Sequence, residues 1–181
     1  MSKKISEKIL YKGRWITLKE STHLNREEKE IKWESVERNQ KQKVLTIIPK
    51  FKYSDNYILI KQYRAATANY VIGFPAGVSE TDNYKEEALR ELKEETGYTG
   101  TVAEISPTIK LAGIINESMK IVHVEVDETD PVNNDPKQSL EPSEEIEVLI
   151  KRKDEIKNFL LQEKNKGYEI GVGPWYVFGI K

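Results

Sequence analysis

The chain has 181 residues, a formal net charge of −1 and no cysteine. Disulfides, zinc–thiolate sites and a cysteine nucleophile are therefore excluded, and the overall charge gives no reason to expect a nucleic-acid surface. Its hydrophobic fraction of 38% is enough for a real core in a chain of this length. No apolar run approaches the roughly 20 residues of a membrane span, and the polar N-terminus does not resemble a signal peptide. We expect a cytoplasmic protein, with the nucleus as the alternative, and no membrane or nucleic-acid partner.

Strand-like segments dominate the first half of the chain. Two of them, residues 14–22 and 30–38, are separated by polar turn residues around Asn25. Two more, residues 43–49 and 57–62, are rich in isoleucine, leucine and valine, which predicts buried strands joined by a Ser-Asp-Asn turn.

Helices and strands alternate irregularly in the second half. A helix is predicted from Tyr84 to Thr96, with Ala88 and Leu92 on its apolar face and Gly97 as its C-cap. The remaining predicted elements are strands over 101–115, 119–126 and 145–151, a long loop over 127–143, and helices over 153–164 and 175–180. Without a regular β-α-β repeat, this order predicts an α/β (α+β) fold around a mixed sheet. Long loops inside compact domains often carry function.

The helix that begins at Tyr84 carries several glutamates on one face. Glu91, Glu94 and Glu95 are three and four residues apart and therefore share a face, with Glu87 one turn earlier. Carboxylate oxygens are hard ligands that suit Mg²⁺ or Mn²⁺. Arg90 is placed to neutralise or orient part of the group. A solvated acidic helix face explains the same spacing and remains the alternative.

The segment from Gly77 to Tyr98 resembles the Nudix box. Residues 90–98 read RELKEETGY and match that motif at every fixed position if the final tyrosine counts as apolar. The preceding loop departs from it, because Asp82 stands where relatives usually have glutamate and the spacing from Gly77 to Arg90 is one residue short. The shortening falls in the loop, so the register of the helix is kept.

The likeness extends over roughly residues 9 to 150. Further segments follow the order seen in the ADP-sugar pyrophosphatases of the Nudix superfamily: Gly13–Leu18, Trp33–Val36, Lys61–Arg64 and Phe74–Gly77. The resemblance implies a Nudix α/β/α sandwich with a small N-terminal β-region. It divides the chain into residues 1–42, which help to form a homodimer and bind the base, and a hydrolase domain over residues 43–181.

The resemblance also implies a metal site. Glu91, Glu94 and Glu95 would bind the divalent ion, Mg²⁺ with Mn²⁺ as the alternative, together with the backbone carbonyl of Ala76. Arg90 and Glu94 would belong to the catalytic residues. Bound cations would screen the charge of a pyrophosphate and activate water.

Four further residues are implied as contacts to a nucleotide-sugar substrate. Trp15 and Trp33 would stack on the two faces of adenine, one from each subunit of the dimer, since two indoles offer a large π surface. Glu34 would contact the adenine or ribose edge, and Arg64 a phosphate or the terminal ribose. The alternatives are ordinary core or interface tryptophans and a surface ion pair for Arg64.

Glu144 matches a glutamate that positions or deprotonates water from a mobile loop. Glu141, Glu145 and Glu147 are its near neighbours in sequence and stay open as rivals for this role. A loop carboxylate suits the task, because it can close over a substrate once the substrate is bound.

Two positions outside the box depart from the family pattern. Gly73 stands where relatives usually carry a glutamate, and residues 111–117 replace a loop that usually contains Pro-Gly. The function implied is Mg-dependent hydrolysis of ADP-ribose or a related ADP-sugar to AMP and a sugar phosphate. The alternatives are a pyrophosphatase for another nucleotide sugar or a dinucleotide, and a non-catalytic nucleotide-binding module.

Overall fold

The computed structural model describes residues 2–40, 42–79 and 81–179, which form two sheets flanked by helices. The smaller sheet is an antiparallel meander of three strands: β1 (Lys3–Lys12), β2 (Ile16–Leu24) and β3 (Glu30–Arg38). Every residue of β1 is exposed. The small sheet therefore contributes little to the core of this chain.

The larger sheet has nine strands and mixes parallel with antiparallel pairs. Its strands are β4 (Lys43–Phe51), β5 (Asn56–Arg64), β6 (Asn69–Gly73), β7 (Ala76–Ser79), β8 (Thr101–Ile105), β9 (Ile109–Leu111), β10 (Glu117–Val126), β11 (Ile146–Arg152) and β12 (Glu169–Ile170). The central order is β12-β6-β5-β4-β10-β8, with β11 beside β5, β7 beside β4 and β9 beside β10. Only the pairs β4–β10 and β6–β12 are parallel among these.

Two helices cover opposite faces of the large sheet, α1 (Tyr84–Thr96) and α2 (Lys153–Asn165). Because side chains alternate along a strand, neighbouring residues of one strand pack in two different hydrophobic cores, one on each side of the sheet. Ile47 packs in the core that contains Leu92 of α1, whereas Ile48 packs in the core that contains Leu160 of α2. This α/β/α layering confirms the predicted fold class. No helix in the described ranges is long and apolar enough to span a membrane.

Several element predictions need correction. Neither β1 nor β7 was predicted. The strand predicted over 101–115 is interrupted between β8 and β9, where Pro107 lacks the N–H that a ladder requires. The terminal helix is a single turn at Val172–Pro174 followed by a π-helical segment at Trp175–Gly179. Its predicted end, Ile180, lies outside the described residues.

The long loop after β10 is anchored by polar contacts. It contains a 3-10 turn at Pro131–Asn133, and the buried Asn133 amide donates to the carbonyls of Thr99 (3.1 Å) and Asp127 (2.9 Å). Further on, the Gln138 amide donates to the carbonyls of Glu95 (2.6 Å) and Ile146 (3.2 Å). Hydrogen bonds of these two polar side chains thus tie the loop to α1, to β11 and to the segment before β8.

The two sheets are joined along β3. The Val36 N–H donates to the Ile114 carbonyl, and the Asn116 N–H donates to the Val36 carbonyl, both at 2.8 Å. Arg38 forms an ion pair with Glu117 at the start of β10. The segment around residues 113–116 thus connects the exposed small sheet to the large one.

Gly97 generates a stability prediction. It ends α1 in the left-handed region (φ +79°), and a Cβ placed there would lie 2.4 Å from the Lys137 backbone nitrogen. Gly167 has a similar positive φ of +97° but nothing within 4 Å of such a Cβ. We expect Gly97→Ala to lower the free energy of unfolding by about 2–4 kcal/mol and Gly167→Ala by only about 1 kcal/mol, as urea titrations would measure. Equal losses would show that the close packing of residues 136–137 on the end of α1 does not contribute to the free energy of unfolding.

Candidate active site

The carboxylate face of α1 rests on strand β7. Glu95 is only 2% exposed, and its Oε2 accepts a hydrogen bond from the Ala76 N–H at 2.9 Å. Ala76 pairs with Thr46 of β4, so this contact joins the helix directly to the large sheet. The residue predicted to assist metal binding through its carbonyl is therefore in contact with Glu95, here through its N–H.

Gly77 leaves room for a second glutamate. A Cβ on Gly77 would lie 2.1 Å from Cδ and 2.3 Å from Cγ of Glu91. Any other residue at this position would displace the Glu91 side chain, because such distances are far below van der Waals contact. The glycine that opens the motif thus has a steric role, which is to admit Glu91 against the backbone of β7.

Arg90 holds the remaining carboxylates of the face. Its Nη1 donates to Glu94 at 2.5 Å, and its Nη2 donates to Glu87 at 2.9 Å and to Glu91 at 2.6 Å. Charge-assisted bonds of this kind are the strong ones, and a guanidinium can fork between several carboxylates. The expectation that Arg90 neutralises and orients part of the group agrees with this geometry.

Burial raises the pKa of the two glutamates that contact β7, Glu91 and Glu95. Burial raises the pKa of Glu95 to about 8, and the charges of Glu144 and Glu91 add to that effect while the Ala76 N–H and Arg64 oppose it. Burial also raises the pKa of Glu91, against the opposing influence of Arg90. For both carboxyls burial outweighs the nearby positive charge, and a bound cation would favour the ionised form.

The arrangement around Arg90 bears on the predicted metal site. Among the residues that the structure describes, no three His, Asp or Glu side chains are grouped so as to hold a metal ion. The Arg90 guanidinium binds Glu87, Glu91 and Glu94, so it holds together the carboxylates that a cation would otherwise join. The residues nevertheless fit a divalent ion, because all donors are oxygens, Glu95 is buried with a single hydrogen bond from the Ala76 N–H, and Gly77 lets Glu91 lie against the same strand.

Side-chain alternation places Glu144 and Arg64 on the same side as α1. Ile58 of β5 packs with the α1 core, so Gln62 and Arg64, which follow at even spacing, face the same way. The charges of Arg64 and Glu144 both act on Glu95, which agrees with this placement. The other predicted loop glutamates have partners elsewhere: Glu145 accepts from the Tyr70 hydroxyl and Glu147 pairs with Lys61.

Gln62 is a site residue that sequence reasoning missed. It is 6% exposed, and its Oε1 is buried without a hydrogen-bond partner among the described atoms. A buried amide oxygen normally has a partner, so this one is available to a ligand or water on the α1 side of β5. The signal in the sequence was its even spacing from Arg64 within the predicted strand.

The departures from the family pattern lie at open positions. A Cβ on Gly73 would meet nothing within 4 Å, so the missing glutamate leaves free space on β6. Asp82 is exposed and pairs with Lys43 at 2.9 Å and with the Tyr84 hydroxyl, away from Glu91 and Glu95. Its replacement of the usual glutamate therefore does not alter the contacts of the inner carboxylates.

Of the two predicted base-stacking tryptophans, Trp15 lies in the bend before β2 and Trp33 on β3, and both are exposed, Trp15 to 65% and Trp33 to 53%. The interpretation as core residues is therefore wrong for this chain. Trp33 is opposite Ser21 on β2, and the Trp15 carbonyl accepts from the Asn39 N–H beyond the end of β3. Asn39, the backbone partner of Trp15, is six residues from Trp33, which is about 20 Å along the ribbon at about 3.3 Å per residue.

Contacts around the tryptophans orient their rings. The Trp33 Nε1 donates to the Gly113 carbonyl at 3.3 Å, so this ring is held against the segment that departs from the family pattern. The Arg14 guanidinium lies 4.7 Å from the ring centre of Trp15. Glu34, next to Trp33 on β3 and opposite Glu20, points to the other face of the sheet.

Comparisons with known proteins agree on the kind of protein. A scan against protein-family models finds no match. The chain is 30% identical over 160 residues to an ADP-sugar pyrophosphatase of Mus musculus, covering 83% of this chain and 73% of that one. It is 32% identical over 168 residues to an ADP-ribose pyrophosphatase of Saccharomyces cerevisiae, covering 87% and 72%. A Nudix hydrolase of Schizosaccharomyces pombe is 31% identical over 170 residues, covering 88% and 82%.

A solved structure described as an ADP compounds hydrolase shares the fold, with a TM-score of 0.64 and 19% identity over 92% of this chain and 95% of that one. The chain belongs to the Nudix hydrolase superfamily. Its relatives place it among the pyrophosphohydrolases of that superfamily, and the ADP-ribose pyrophosphatases among them generally use divalent metal ions.

The contacts of Arg90 generate a second prediction. In metal-free protein we expect Arg90→Gln to lower the free energy of unfolding by about 1–3 kcal/mol, because Glu91, whose side chain is 13% exposed, would stay buried without its cationic partner. Added Mg²⁺ should restore more stability to this variant than it adds to the wild type. The control is Arg152→Gln, whose exposed ion pair with Asp154 should contribute little to stability. Equal effects of the two variants in chemical unfolding would contradict the role given to Arg90.

Proposed function

We propose that this protein hydrolyses the pyrophosphate bond of ADP-ribose or a related ADP-sugar, giving AMP and a sugar phosphate, with Mg²⁺ or Mn²⁺ as cofactor. The observation that carries the proposal is the docking of Glu91 and Glu95 of α1 on Gly77 and Ala76, with Arg64 and Glu144 on the same side of the sheet. The relatives named for ADP-sugar and ADP-ribose supply the substrate class.

Each residue of the site has a task in this reaction. Glu91, Glu94 and Glu95 would hold the divalent ion, with the Ala76 carbonyl as a further oxygen. When bound, that ion screens the charge of the pyrophosphate and lowers the pKa of the attacking water. Arg90 keeps the glutamates in place, and Arg64 binds a phosphate or the terminal ribose. Glu144 accepts a proton from the water.

A homodimer completes the base site. Since Trp15 and Trp33 of one chain are about 20 Å apart along the ribbon, they cannot stack on both faces of one adenine. A second copy would bring its Trp15 to this chain's Trp33. The exposed apolar side chains of the small sheet, which include Ile5, Ile9 and Ile31, support burial against a partner of the same kind. We assign residues 1–42 to this role and residues 43–181 to catalysis, in a cytoplasmic protein.

Another nucleotide sugar or a dinucleotide is the second candidate substrate. Stacking on indoles does not distinguish one base from another. Glu34 and Trp33 are neighbours on β3, so the Glu34 side chain points away from the face that carries the Trp33 indole. Free space at Gly73 also changes the surroundings of the site relative to the family pattern. A non-catalytic nucleotide-binding module is the third alternative, and the intact set of Glu91, Glu94 and Glu95 speaks against it.

A substrate panel tests the proposed function. Phosphate release, coupled to a phosphatase, should be largest with ADP-ribose or an ADP-sugar, should stop on adding EDTA and should return with Mg²⁺ or Mn²⁺. Glu94→Gln and Glu95→Gln should each lower kcat by about a hundredfold or more, because the ion loses a charged ligand. Asp82→Asn serves as the control, since Asp82 is exposed and paired with Lys43. Full activity in Glu95→Gln, or activity that survives EDTA, would refute the metal-dependent mechanism.

The stacking residues give a prediction that also tests the dimer. Trp15→Ala and Trp33→Ala should each raise KM strongly and change kcat less, because stacking worth about 1–3 kcal/mol per face acts on ground and transition states alike. If one site takes its two tryptophans from two chains, mixing and refolding the variants should restore about one quarter of the sites at random pairing.

This recovery requires that the chains exchange, so a mixture of Trp33→Ala with wild type, differently tagged, verifies exchange. No recovery in the mixed variants, in spite of verified exchange, would place both tryptophans in the same chain's site or outside the site altogether.

The loop glutamates give a further prediction. Glu144→Gln should lower kcat with little change in KM, since the proton transfer it assists belongs to the transition state. Glu141→Gln and Glu147→Gln should change kcat little, because Glu147 is exposed and paired with Lys61. A parallel steady-state comparison decides the register. A large loss of kcat in Glu141→Gln with none in Glu144→Gln would show that the base is Glu141 and not Glu144.

A further inference from the structure

Just before β11, the side chains of Glu144 and Glu145 point to opposite faces of the large sheet. Glu144 has the same spacing as Ile146 and Val148, and Val148 packs with the α1 core. Glu145 points to the opposite face, where its carboxylate accepts a hydrogen bond from the Tyr70 hydroxyl. The Glu145 carbonyl accepts a hydrogen bond from the Tyr63 N–H at 3.2 Å, directly beyond the last paired residues of β5 and β11. One residue therefore faces the candidate site while its neighbour is tied down on the far side of the sheet.

Tyr70 is itself held in a group of aromatic rings. Its ring centre is 5.5 Å from that of Tyr63 and 6.1 Å from that of Tyr168, and both contacts are edge-to-face. The Lys61 ammonium lies 4.9 Å from the Tyr168 ring centre and pairs with Glu147. Packed rings in such contacts have little rotational freedom, so the Tyr70 hydroxyl is presented to Glu145 from a fixed direction.

Glu144 is less firmly held. Its N–H donates to the Glu141 carbonyl, and its Oε2 accepts from the Glu141 N–H, both at 2.9 Å. These bonds close a short turn that is part of the loop itself. Beyond Gln138, the Ser139 N–H donates to the Glu94 carbonyl of α1 at 2.9 Å, and Glu145 makes the contacts to the large sheet that precede β11.

We propose that Tyr70 is a positioning residue that holds Glu145 and thereby sets the pivot from which Glu144 reaches the candidate active site. The proposal rests on the proposed function for the task of Glu144. In this proposal, contacts on the α2 side of the sheet control how precisely the loop places Glu144. The hydrogen bond from Tyr70 to Glu145 is also of a strong kind, because a hydroxyl that donates to a carboxylate forms a short hydrogen bond.

Hydrogen exchange tests the pivot without reference to activity. In Tyr70→Phe the amide hydrogens of Tyr63 and Glu144 should exchange about tenfold faster than in the wild type, because the end of the loop opens more often. Glu145→Ala should give the same result. Tyr168→Phe is the matched control, since it removes a hydroxyl from the same ring group but leaves the bond between Tyr70 and Glu145. Exchange in Tyr70→Phe equal to the wild type would overturn the proposal.

Kinetics supply the second readout. With ADP-ribose and Mg²⁺, Tyr70→Phe should lower kcat about tenfold and leave KM within about twofold, as expected for misplacement of a group that acts in the transition state. The double variant Tyr70→Phe with Glu145→Ala should lose no more than either single variant, because both remove the same bond. Additive losses, or full kcat in Tyr70→Phe, would contradict positioning. Inactivity of the wild type on the whole panel would instead refute the proposed function, while the exchange experiment still decides whether Tyr70 holds the loop.

Discussion

The site depends on one close contact, the docking of two glutamates of α1 on the backbone of β7. Glu95 accepts the Ala76 N–H, and Glu91 lies where any side chain on residue 77 would clash. This contact places two carboxylates in surroundings that favour their protonated form. Protein interiors tolerate such groups when a cation or hydrogen bonds compensate them. Arg90 supplies part of this compensation to Glu91, and the metal-binding chemistry proposed for the site would supply the rest.

The large sheet separates two tasks. On the side of α1, residues at even spacing on β5 and before β11 bring Arg64, Gln62 and Glu144 toward the helix carboxylates. On the side of α2, the alternate residues form the ring group around Tyr70, which holds the loop end. The small sheet adds a third task, because its exposed indoles and aliphatic side chains suit a partner chain and a base. In the proposed account, chemistry and loop control would thus lie on the two faces of the large sheet and substrate binding on the small sheet.

Sequence reasoning was most successful where local signals agreed. Helix α1 has the predicted bounds because an amphipathic stripe and a left-handed glycine cap mark the same segment. Strand β1 was missed because all ten of its residues are exposed, so no buried face imposes an alternating pattern. The contacts that tie down the long loop were also out of reach, since Asn133 and Gln138 act through partners that are distant in sequence. The unpartnered amide of Gln62 depends likewise on tertiary packing, although its spacing from Arg64 was visible.

We propose that Glu91, Glu94 and Glu95 form a divalent cation site, although Arg90 also binds two of them. Titration with Mn²⁺, followed by the loss of the free-ion electron paramagnetic resonance signal, measures this binding directly. We expect saturable binding to the wild type that weakens at least about tenfold in Glu95→Gln, because a charged oxygen ligand is lost. Binding should be unchanged in Asp82→Asn, whose carboxylate is exposed and paired with Lys43. Equal Mn²⁺ affinity in the wild type and Glu95→Gln would contradict the proposed cation site.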